Sequence, residues 1–137
     1  MSSLAISSFD DLLHAARRQP EPQRLLFVFA RAELPEDSTP EQQRRFANGA
    51  GGALVPLMCV DKAPDELTTF AALADEARLS GPEWAVVFVA ALAGRPGHPL
   101  DAKDAEAPLQ RMVEAIKAGS HGSFIPFDGN GRPVVFE

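Results

Sequence analysis

An α/β domain built on a largely parallel, buried sheet is the fold class this sequence predicts, and three observations carry the prediction. Arg24–Ala32 (RLLFVFARA), Ala53–Val60 (ALVPLMCV) and Trp84–Ala93 (WAVVFVAALA) are apolar without alternation, the pattern of strands covered on both faces. They are separated by connections of about 20 residues, each holding a helical pattern, which is the length and content of parallel crossovers. The chain has 137 residues, enough for one domain (1-137) with its own core and no disulfide or metal staples.

Each element follows from local chemistry. Phe9, Leu12, Leu13 and Ala16 recur at helical spacing behind the capping residues Ser7 and Ser8, and Pro20 and Pro22 stop that helix. After the first strand, Thr39, Pro40 and Gln42 supply a cap, a first-turn proline and a capping-box partner, and Asn48-Gly49 ends a short helix. The second strand contains Pro56, which cannot donate to a ladder and so points to a sheet edge or a bulge. Pro64, Asp65 and Glu66 fit a helix's first turn, with Leu67, Phe70, Ala71 and Ala74 as its inward stripe and Gly81-Pro82 closing it. Gly94–Asp101 (GRPGHPLD) is a loop, and Leu109, Met112, Val113 and Ile116 form the stripe of a last helix, with Lys117 near its end and Gly119 as its cap. Ser123–Phe127 and Arg132–Phe136 flank Asp128-Gly129-Asn130-Gly131 and predict a terminal antiparallel hairpin. The predicted order is αβαβαβαββ: three mainly parallel buried strands plus the hairpin.

Composition narrows the function classes. With a net charge of -6 and a pI near 5.0, affinity for nucleic acid or anionic membrane is not expected, because both depend on clustered Lys and Arg. Arg17/Arg18 and Arg44/Arg45 read as solvated helix faces. The longest apolar run, Trp84–Ala93, is too short to span a bilayer, and the amino-terminal residues lack a signal-peptide pattern, so a cytoplasmic protein is expected. The single cysteine, Cys59, excludes an internal disulfide and any multi-thiolate site. The three histidines, His14, His98 and His121, have no metal-ligand spacing, and no cofactor is expected.

If the strands are parallel, their carboxyl ends share one edge, where ligands of open α/β sheets bind. That selects Arg31 and Glu33 after the first strand, Asp61 and Lys62 after the second, and Arg95, His98 and Asp101 after the third. Asp61, Lys62, Arg95 and His98 form the candidate ligand site: Asp61 and His98 can move a proton, and Lys62 and Arg95 beside a helix amino terminus favour an anionic metabolite or nucleotide. Polar residues are also expected wherever a buried strand reaches solvent, and that plain reading outweighs the chemical one. Cys59, inside an apolar strand, reads as inert packing. NGAGGA (residues 48-53) precedes a strand rather than a helix, GRPGHPLD lacks the P-loop lysine and the dinucleotide glycine spacing, and GSHGS misses the nucleophile-elbow spacing.

FDDLLHAARRQPEPQRLLFVFARAELP, GGALVPLMCVDKAPDEL and LQRMVEAIKAGSHGSFIPFD together resemble a family of small bacterial proteins, some of which carry the label ribonucleotide reductase subunit alpha. The resemblance covers nearly the whole chain and implies no catalytic residue. Reductase catalytic subunits use several cysteines and this chain has Cys59 alone, so no reductase activity is expected. The reading that remains is a non-catalytic interaction or accessory domain with a protein partner or a second copy as its target, its interface being Phe124, Phe127, Val135 and Phe136 of the hairpin. The alternative is a small enzyme or binding domain for an anionic metabolite or nucleotide at the strand ends.

Overall fold

A computed structural model describes residues 8–19, 22–34, 36–48, 53–67, 69–81, 83–95, 97–98 and 100–134. Its elements are α1 (Phe9–Arg17), β1 (Gln23–Glu33), α2 (Pro40–Ala47), β2 (Ala53–Lys62), a 3-10 turn (Pro64–Glu66), α3 (Phe70–Ser80), β3 (Val86–Ala93), α4 (Ala102–Lys117) and β4 (Ile125–Asp128). The strands form one four-stranded sheet in the order β2-β1-β3-β4.

Every adjacent pair in that sheet is antiparallel, which corrects the parallel expectation. An apolar run records that both faces of a strand are covered and is silent about the direction of its neighbours. Direction is set by what each connection packs against, and α2 packs against almost nothing: it has no buried residue, and only Phe46 is half-buried. A helix with no apolar stripe cannot lie across a sheet, so the chain returns beside β1 antiparallel. The next connection does cross. β2 and β3 are each antiparallel to β1 and so run the same way as each other, with β1 between them.

Both sheet faces are covered, as the apolar runs require. Leu25, Phe27 and Phe29 of β1 face a layer made by Phe9 and Leu13 of α1, by Leu67 just after the 3-10 turn, and by Phe70, Leu73, Ala74 and Ala77 of α3. Leu26, Val28 and Ala30 face Ala105, Leu109, Met112 and Ile116 of α4. Each fully buried phenylalanine contributes about 2–3 kcal/mol by removal from water.

Local signals hold where they rest on capping chemistry. The Ser8 hydroxyl accepts from the Asp11 amide at 3.2 Å. Thr39 and Gln42 form a reciprocal box, with the Thr39 amide donating to Gln42 Oε1 at 2.8 Å and the Gln42 amide to Thr39 Oγ1 at 3.2 Å. Gly119, at φ 78°, ends α4 with the Ser120 amide donating to the Ala115 carbonyl at 2.8 Å, a Schellman closure. Pro56 lies both on an edge strand and at a register shift, because β2 pairs only with β1 and slips opposite Phe29/Ala30.

Two boundaries differ from expectation. Pro64–Glu66 is a separate 3-10 turn, after which Leu67 is extended, and α3 starts from a new cap in which Thr69 Oγ1 accepts from the Ala72 amide. That phase buries Leu73 and Ala77 and leaves Ala71 exposed. At the carboxyl end, the Asp128 carboxylate accepts from the Asn130 and Arg132 amides at 2.8 and 3.1 Å, and Gly131 takes φ 77°. The first hairpin arm is β4, paired with β3. The returning arm is a single bridge between Phe127 and Pro133, with the Val134 amide donating to the Pro126 carbonyl at 3.0 Å.

Candidate functional site

Because β2 and β3 run the same way, Asp61, Lys62, Arg95 and His98 do fall at one end of the sheet, beside Gln23 at the start of β1. Arg31 and Glu33 do not. The carboxyl end of β1 lies at the opposite end, where these two side chains pair with each other, guanidinium to carboxylate at 2.8 Å.

The four residues are divided between the two faces. Lys62 is the partner of Leu25, whose side chain faces α3, and its ammonium meets Glu76 of α3 at 3.2 Å. It stands at the mouth of a cleft of about 220 Å3 lined also by Phe29, Met58, Val60, Leu73 and Ala77. Asp61 is the partner of Leu26, whose side chain faces α4, and its carboxylate is taken by Arg24, with Nε at 2.6 Å and a second guanidinium nitrogen at 2.5 Å. Arg24 also donates to the Leu100 carbonyl at 3.3 Å, tying the β3–α4 connection to the sheet.

Arg95 and His98 close a turn around Gly97, at φ 78°, in which the His98 amide donates to the Arg95 carbonyl at 2.8 Å. Both are exposed and line a shallow cleft of about 280 Å3 with Gly94, Leu100 and Asp104. The α4 amino terminus is here, but its own carboxylates already serve its free amides: Asp101 accepts from the Asp104 amide at 3.0 Å and Asp104 from the Asp101 amide at 2.9 Å. Two carboxylates at a helix start disfavour an anionic guest. With Lys62 on the other face, the geometry that favoured an anion does not assemble, and Asp61, held by Arg24, is not a partner for His98.

The Asp101 carboxyl is held below its ordinary value of 3.8, chiefly by the Asp104 amide that donates to it, then by the Asp104 side chain and, more weakly, by the Lys103 amide and the Arg24 charge; burial acts the other way. A carboxyl whose folded value is depressed adds stability above its unfolded value and loses it as pH falls through the folded one. Asp101→Asn, which keeps the cap, should therefore melt less steeply with acid below about pH 4 than the parent, and Asp101→Ala should lower Tm already at pH 7. Thermal melts from pH 7 to pH 2 check both.

Cys59 departs from its expected buried packing role. It is exposed, on the α4 side of the edge strand opposite Val28. The hairpin interface also changes character: Phe127 is fully buried among the α1 and α3 residues, Phe124 is half-buried against the α4 layer, and Val135 and Phe136 lie outside the described residues. Phe127 is core and offers nothing to a partner.

The surface that sequence reasoning passed over is β2 itself. From Ala53 to Val60 it carries no charge, its residues are half-buried or exposed, and among the described residues its outer edge pairs with nothing. Pro56 was the signal for it, since a proline is tolerated where one strand side faces outward. Beside the edge lies a cleft bounded by Phe29, Met58, Val60, Leu73 and Ala77, with the Lys62–Glu76 ion pair on its lining. The opposite sheet edge, β4, is short and covered by the returning Pro133–Val134 segment.

Among the described residues, no group of three or more His, Cys, Asp or Glu gathers as a metal site, and no helix is long and apolar enough to cross a membrane. Comparison with protein-family models, with curated proteins and with solved structures finds no match in any of the three.

Proposed function

We propose that this chain is a non-catalytic protein-interaction domain that takes its partner along the open edge of β2. One observation carries the reading: among the described residues, a ten-residue edge strand with an uncharged Ala53–Val60 stretch has no strand on its outer side and lies beside a largely apolar cleft. Edge strands of monomers are normally short, charged or covered, since unpaired N–H and C=O groups invite any extended chain. Lys and Glu are absent from this stretch, whereas Pro56 and the adjacent bulge limit pairing to partners that tolerate a gap in the ladder. Addition of a strand supplies main-chain hydrogen bonds, and the cleft supplies selectivity for an apolar side chain.

The test is peptide display against the full chain, followed by titration of selected peptides into the parent and into a variant carrying Val55→Lys and Cys59→Lys. Both positions lie on β2, and Cys59 is exposed, so circular dichroism should show a retained fold. Selected peptides should be extended and apolar, and the variant should bind them at least about tenfold more weakly. Equal binding by parent and variant, or no selected peptide, overturns the proposal.

A further inference from the structure

We draw no further inference here: the strongest candidate, the cleft between β2 and α3 lined by Met58, Val60, Leu73 and Ala77 and bordered by the Lys62–Glu76 ion pair, belongs to the edge already described, and nothing in the structure shows what covers it.

Discussion

Phe127→Ala should destabilise the protein by about 3–5 kcal/mol. Phe127 is wholly buried, and its ring meets Phe9 edge-on with centroids 5.5 Å apart. Phe9 in turn packs on Phe70 at 5.1 Å and on Phe27 at 5.9 Å, so one aromatic cluster joins α1, β1, α3 and β4. Removing one ring removes its transfer free energy and leaves a cavity in a close-packed core. Against a total stability of about 5–15 kcal/mol for a domain of this kind, that loss is a large fraction of the whole. In urea unfolding the midpoint should fall with little change in slope. The half-buried Phe124 serves as the control, and Phe124→Ala should cost less than half as much. A Phe127→Ala protein of near-parental stability and altered mass would return the hairpin to the role of interface.

The second large effect is expected at Arg24 and Asp61. Their side chains are 14% and 19% exposed, in direct contact, and the same guanidinium reaches the Leu100 carbonyl. The pair therefore fastens the start of β1 to the end of β2 and to the connection entering α4. Truncating one member strands the other's charge in a poorly hydrated site. Fully buried pairs lose about 3–5 kcal/mol in this way, and residual exposure here reduces the expectation to about 2–4 kcal/mol for Arg24→Ala or Asp61→Ala. Arg24→Met combined with Asp61→Leu should recover most of the loss, because no charge is then left unpaired. A double-mutant cycle by chemical denaturation reads the coupling directly. Additive single losses would show that the two side chains act separately, and Asp61 would again be available for chemistry with His98.

These two sites mark the limits of what the chain reveals before it folds. Phe127 looked like surplus apolar surface on a hairpin because its burial depends on Phe9, more than a hundred residues away in sequence. Arg24 read as the first residue of a strand and Asp61 as a polar strand end, and nothing local joins them. The division of Asp61 and Lys62 between two faces was legible, since neighbours on a strand point to opposite sides. So was the weakness of α2 as a crossover, because PEQQRRFA has no apolar stripe. Asp61, Lys62, Arg95 and His98 lie at one sheet end, but the parallel edge expected to gather them is absent, because β1 runs opposite to β2 and β3 and carries Arg31 and Glu33 to the other end.

Local chemistry suffices for the helix caps at Ser8 and Thr39, the Gly119 stop, the turn at Asp128-Gly131, the placing of Pro56 at an edge or a bulge and the coverage of both sheet faces. Each follows from hydrogen bonds, backbone angles or hydropathy within a few residues of chain. Strand direction, the burial of Phe127, the capture of Asp61 by Arg24 and the exposure of Cys59 on the edge strand emerge with long-range packing. Those depend on which segment packs against which, and an apolar residue carries the same signal whether its cover comes from α3, from α4 or from another molecule.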